Sequence, residues 1–193
     1  MSESGVPGCG RRELSNGWKL TGTPPGACDG PDALAQSGWV AAPVPGTVAG
    51  ALAAAELDVD AQDWWYRLEF DADRAEDGEE IVLALDGIAT VAEVFLNGRR
   101  ILASESMFAA HRLDVGARLN GRNELAICCR ALTPRLKERR KPRARWRTKL
   151  VAEGNLRFFR TMLIGRAPGF APGPAVVGLW RPVALERRRG LVV

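Results

Sequence analysis

Between Asp63 and Asp71 the chain reads Asp-Trp-Trp-Tyr-Arg-Leu-Glu-Phe-Asp. Successive side chains of an extended strand point to opposite sides, so Trp64, Tyr66, Leu68 and Phe70 share one face while Trp65, Arg67, Glu69 and Asp71 share the other. A helix would scatter the four apolar residues around its circumference, whereas a half-buried strand collects them against a core. Further short runs follow at Ile81 to Leu85, Val91 to Leu96, His111 to Val115 and Asn123 to Cys129. Asn97-Gly98 and Asn120-Gly121 sit between or beside them and tolerate the positive φ angles of tight turns. A closing strand, Gly178 to Glu186, contains Pro182, which lacks a donor for a ladder and predicts an edge or a bulge. Thr47 is placed to cap a short Ala-rich helix over Val48 to Glu56. Short strands divided by turn signals predict an all-β chain, a sandwich or a barrel, with short helices and one long basic insertion.

A length of 193 residues suits one domain with a normal core. A hydrophobic share of 46% against 26% charged residues is ordinary for a globular protein and does not suggest disorder. Residues 1-38 mix Gly, Pro and Ser with little periodicity and read as a partly ordered lead-in with one short strand near Trp18 to Leu20. Residues 39-189 hold the sandwich, and 134-175 the insertion. Within that insertion Arg135 to Lys149 carries nine Lys or Arg residues and one acid, Glu138. Leu150, Val151, Leu156, Phe158 and Phe159 follow and give it apolar surface to pack on the sandwich.

Several kinds of chemistry lack their residues. No apolar run of about 18 residues is present to cross a bilayer, and Met1 to Ser15 has no signal-peptide core, which points to a cytoplasmic protein without a membrane partner. Cys9, Cys28, Cys128 and Cys129 lack metal-site spacing and are expected as free thiols. Alternation turns Cys129 toward Leu125 and Ile127 and Cys128 away from them. His111 is the only histidine, which excludes a multi-histidine metal site and favours a hydrogen-bonded structural role. Asp58, Asp60 and Asp63 lack the spacing and glycine of a calcium loop and read as a solvated turn. Neither a metal nor a cofactor is expected.

Six phrases carry a resemblance in order and spacing. They are Pro43-Val44-Pro45-Gly46-Thr47, Asp63-Trp64-Trp65-Tyr66-Arg67, Leu85-Asp86-Gly87-Ile88-Ala89-Thr90, Val94-Phe95-Leu96-Asn97-Gly98, Met107-Phe108-Ala109-Ala110-His111 and Gly178-Leu179-Trp180-Arg181-Pro182-Val183. Together they resemble the amino-terminal, galactose-binding-type domain of family-two glycoside hydrolases, the β-mannosidase branch in particular. The resemblance implies a jelly roll that precedes an immunoglobulin-like domain and a catalytic (β/α)8 barrel in full-length members. Retaining glycosidases need two carboxyl groups about 5 Å apart, and in this family both come from the barrel. A barrel takes about 250 residues, so this chain by itself is expected to be inactive, a recognition or scaffold module.

In β-mannosidases a loop resembling Gly-Trp-Asp-Trp-Gly-Pro, just before the closing strand, reaches the sugar. This sequence departs there, reading Gly165-Arg166-Ala167-Pro168-Gly169-Phe170-Ala171-Pro172-Gly173-Pro174 with no acid to accept from hydroxyls. Phe170 can stack on a sugar face, and Arg160 or Arg166 can donate to hydroxyl or carboxylate groups. Trp65, on the polar side of its strand, completes the sugar-binding candidates. Expected partners are a carbohydrate and a separate hydrolase subunit or a second copy of the chain. The alternative is a polyanion, with nucleic acid disfavoured, bound through Arg139, Arg140, Arg143 and Arg145. That segment contains a single aromatic, Trp146, for base stacking.

Overall fold

A computed structural model describes residues 10–53, 57–138, 141, 149–151 and 153–190. In chain order the elements are β1 (Gly10–Glu13), β2 (Lys19–Thr23), β3 (Val40–Ala41), α1 (Val48–Leu52), β4 (Asp63–Ala72) and β5 (Glu79–Leu85). There follow β6 (Ala92–Leu96), β7 (Arg99–Ser104), β8 (His111–Asp114), β9 (Gly121–Cys129), α2 (Thr133–Lys137) and β10 (Val183–Arg189). The strands form two sheets, one ordered β1-β10-β5-β8 and the other β3-β2-β4-β9-β6-β7. Neighbouring strands run antiparallel. The chain is the expected all-β sandwich.

The alternation in β4 sets the core. Trp64, Tyr66 and Leu68 pair with Cys129, Ile127 and Leu125 of β9, and all six side chains enter one cluster with Ile81, Leu83 and Leu85 of β5 and Val183 and Leu185 of β10. Burying such side chains contributes about 1.5–3 kcal/mol each, which is why the pleat and the register are fixed together. Between β6 and β7, Asn97 at φ 50° and Gly98 at φ 76° make the tight turn. The Asn97 amide also binds across the sandwich end, donating to Arg118 O and accepting from the Glu124 N–H. Thr47 Oγ1 accepts from the Gly50 N–H at 3.1 Å, and α1 ends at Leu52 with Ala53 in the left-handed region.

Three expectations are revised. The stretch before Trp39 supplies a strand to each sheet, β1 and β2, and Trp18 is buried with its Nε1 donating to Leu14 O at 2.6 Å. The closing strand β10 is an inner strand between β1 and β5. Pro182 is accommodated because it precedes the first ladder residue and serves only as an acceptor, for the Asp86 N–H. The aspartate turn is only partly solvated: Asp58 is exposed, but Asp60 is 8% and Asp63 1% exposed. Each of these two buried carboxyl groups is paired. Asp63 accepts from Arg130, the Gly26 N–H and the Ala131 N–H, and Asp60 from Arg166.

Within 134-175, Leu136 of α2 and Leu156 and Phe159 near the 3-10 turn Gly154–Phe158 gather with Leu132 on Val91 in a separate apolar cluster. No helix among the described residues is long and apolar enough to cross a membrane.

Candidate functional site

Antiparallel registers bring one set of connections to one end of the sandwich. Leu85 pairs with Val183 and with His111, while Ala92 pairs with Ser104 and with Cys129. Residues 86–91, 105–110, 130–138 and 160–182 therefore share this end. They are tied to one another by main-chain and side-chain bonds. Ala89 and Gly178 exchange N–H···O bonds, Met107 N–H donates to Arg160 O, and Met162 N–H reaches the Met107 sulfur at 3.0 Å. Trp180 Nε1 donates to Met107 O at 3.0 Å, and the Phe108 ring meets Trp180 edge-on at 6.3 Å. The Arg181 guanidinium lies 4.4 Å from the Trp180 ring centroid. Gly87 is required here because a Cβ would stand 2.9 Å from Trp180 Nε1.

Residues 165–171 form a tight hairpin. Gly165 N–H donates to Ala171 O and Phe170 N–H to Ala167 O, each at 2.9 Å. Gly165 has φ 74°, and a Cβ on it would meet the Ala175 main chain at 2.2 Å. The turn holds Phe170 in the open, 70% exposed. Arg160 is exposed at the same end, with its main chain bridged to Ser106. Phe108, Leu163 and Ile164 are exposed as well.

Two sugar-binding candidates are corrected. Arg166 is buried, and its guanidinium clasps Asp60 through Nε and Nη2, both at 2.7 Å. Its remaining donors go to Thr161 Oγ1, Met162 O and Val176 O. All five N–H groups of an arginine are thus spent inside the protein, so Arg166 fixes the hairpin and offers nothing to a ligand. Trp65 is fully buried. Residues 24–39 cover the outer face of β4, and Trp65 packs with Cys28, Leu34, Phe95 and Cys128 under the Arg130 guanidinium. Phe170 and Arg160 remain available. Arg139, Arg140, Arg143 and Arg145 lie outside the described residues.

His111 Nε2 shares a hydrogen bond with Ser104 Oγ at 3.0 Å, and burial lowers its pKa. Cys28, Cys128 and Cys129 are free and buried. Burial pushes the Cys128 thiol up and that of Cys129 up to about 12, so neither is a nucleophile near neutrality. Among the described residues no group of three or more His, Cys, Asp or Glu side chains is placed to hold a metal ion. Phe108 and Trp180 are parts of this end that sequence reasoning did not single out as site residues, although both lie in the phrases quoted above.

Two antiparallel sheets over one core define a β-sandwich, with aromatic and guanidinium groups gathered on the loops of one end. Residues 18–181 match the model of the glycosyl hydrolase 2 galactose-binding domain-like family, and the chain belongs to that family. Beta-mannosidase B of Aspergillus terreus is 33% identical over 140 residues, which cover 68% of this chain and 16% of that protein. Beta-mannosidase B of Thermothelomyces thermophilus is 45% identical over 65 residues, 33% of this chain and 8% of that one. The solved β-D-mannosidase of Dictyoglomus thermophilum superposes on 91% of this chain and 22% of its own, with TM-score 0.67 and 26% identity. Faecalibacterium prausnitzii β-glucuronidase, at 15% identity and TM-score 0.63, shares the fold. The chain thus spans about a sixth of the Aspergillus relative's length, the 16% given above.

Proposed function

We propose that this chain serves as the recognition and scaffold domain of a β-mannosidase-type glycoside hydrolase, presenting its loop end to the rest of the enzyme and supplying no acid–nucleophile pair. The observation that carries this reading is the exposure of Phe108, Leu163, Ile164 and Phe170 at the end that also holds the hairpin 165–171. Large apolar side chains concentrated on the functional end of a domain mark a surface that another surface covers. Phe170 and Arg160 stand on that rim, where a flat ring and a guanidinium suit a sugar face and its hydroxyls. The partner is a hydrolase barrel that holds the two carboxyl groups, either in the same polypeptide or as a separate subunit. Cytoplasmic localisation belongs to the same reading.

Complementation tests it. The part of a β-mannosidase that follows its sandwich domain is expressed without that domain and mixed with this chain. Binding and a gain of aryl β-mannosidase activity are expected, and both weaken with Phe170→Ala and Phe108→Ala. Failure of the two pieces to bind overturns the docking assignment.

A second reading, polyanion binding, has one observation in its favour: nine basic residues from Arg135 to Lys149. Replacing Arg139, Arg140, Arg143 and Arg145 by Ala then removes a steeply salt-dependent affinity for heparin or single-stranded DNA. If the unaltered chain shows no such affinity, that reading fails.

A further inference from the structure

A second place combines an aromatic ring with sugar-type polar groups. Trp39 lines two adjoining depressions beside the six-stranded sheet, which share Gly17, Lys19 and Gln36. One, of 280 Å3, is walled by Gly17, Lys19, Gln36, Trp39, Arg67 and Glu69. The other, of 710 Å3, runs past the same indole along residues 15–19 and 40–45. Both volumes are on the scale of small-ligand pockets, about 300–1,000 Å3.

The ring is held in place. Trp39 Nε1 donates to Ala35 O at 2.9 Å, and its inner side packs on the cluster around Trp65. The Arg67 guanidinium stands 5.8 Å from the ring centroid, and its Nε donates to Glu124 at 2.6 Å. Lys19, Gln36 and Glu69 are exposed around it. A polyhydroxylated ligand both donates and accepts, and this rim answers on both counts. Lys19 donates and Gln36 does either, while Arg67, paired with Glu124, has a further N–H edge and Glu69, paired with Arg122, has further lone pairs. The partly positive C–H bonds of a pyranose face meet the negative face of an indole. An apolar peptide segment laid in the same place would strip water from Lys19, Arg67 and Glu69 without replacing its hydrogen bonds, which disfavours it.

We propose that the two depressions flanking Trp39 form one carbohydrate site, separate from the loop end, that takes a short chain of neutral hexopyranoses across the indole. The proposal rests on the carbohydrate-associated reading of the domain, but it does not depend on docking to a barrel.

Proton–nitrogen correlation NMR of the full chain tests it, with linear β-1,4-linked mannohexaose and cellohexaose as probes. The Trp39 indole N–H and the amides of Lys19 and Gln36 shift on titration with at least one probe. Trp39→Ala weakens the affinity about tenfold. Gln36→Ala and Lys19→Ala weaken it several-fold without altering Tm, which keeps the test valid if Trp39→Ala unfolds. The proposal is overturned if neither probe shifts these signals, if shifts are confined to residues around Phe170, or if Gln36→Ala and Lys19→Ala leave the affinity unchanged. Complementation of a β-mannosidase remainder reads the loop end alone, so the two ideas fail separately.

Discussion

Replacing Arg166 by Ala separates a structural arginine from a sugar-binding one. The side chains of Arg166 and Asp60 are only 5% and 11% exposed, so solvent screens the pair weakly. Arg166→Ala leaves a carboxylate buried without its cation and removes donors from Thr161 Oγ1, Met162 O and Val176 O. Breaking a buried pair by deleting one partner costs about 3–5 kcal/mol, a large share of the roughly 5–15 kcal/mol that holds a typical domain together. Removing both charges with Asp60→Leu/Arg166→Met costs less, about 1–3 kcal/mol, because only the three acceptors are then left short. Urea unfolding of the single and double variants, followed by far-ultraviolet circular dichroism, measures both numbers and their coupling. If Arg166→Ala stays within about 0.5 kcal/mol of the parent, the buried-clasp argument is refuted. Should it also lose oligosaccharide affinity, Arg166 is a ligand donor after all.

Trp65→Ala empties a fully buried position and costs about 3–5 kcal/mol; a urea midpoint unchanged by the substitution would return Trp65 to the surface. In a Cys9→Ser background, Ellman's reagent labels none of Cys28, Cys128 and Cys129 in the folded chain and all of them in urea, since each is buried; rapid labelling of folded Cys128 or Cys129 counts against the packing of β9, and of Cys28 against the cover that residues 24–39 place over Trp65. Stability falls as the pH drops. The folded state favours neutral His111, so stability declines first below its unfolded value of about 6.5. The carboxyls follow. Burial alone would raise Asp86 and Glu93, yet Arg11 and Arg112 hold Asp86 low and Arg130 and Arg100 hold Glu93 low. Their stabilisation is present above an unfolded pKa of about 4 and is lost as pH falls through the folded values. Urea midpoints that rise between about pH 7 and pH 4 would contradict this.

Particular residues show what the sequence made legible. The period of two in β4, the Asn97-Gly98 turn and the Thr47 cap are local signals, and each is realised where the residues place it. Cys129 and Cys128 enter opposite clusters as alternation requires. Alternation says which residues share a face, but not whether a second layer covers the other face. Trp65 looked exposed for that reason, since residues 24–39 that cover it have no periodic pattern of their own. Asp60 and Asp63 looked solvated because their partners, Arg166 and Arg130, lie 106 and 67 positions away. Of the loop-end candidates, Phe170 in the departing loop and Arg160 before it stand exposed. Arg166 was misassigned because a guanidinium suits a buried carboxylate as well as a sugar. Trp39, whose setting appears only once β2, β3 and β4 assemble, carried no signal as a site.

We propose that this sandwich supports glycoside hydrolysis without performing it. Incubating the purified chain with p-nitrophenyl β-mannoside, and with the corresponding glucoside, galactoside and glucuronide, tests it most directly. No nitrophenol release above buffer is predicted from the chain alone at any pH between the acid and alkaline limits of folding. Sustained release that copurifies with the folded chain would contradict the claim.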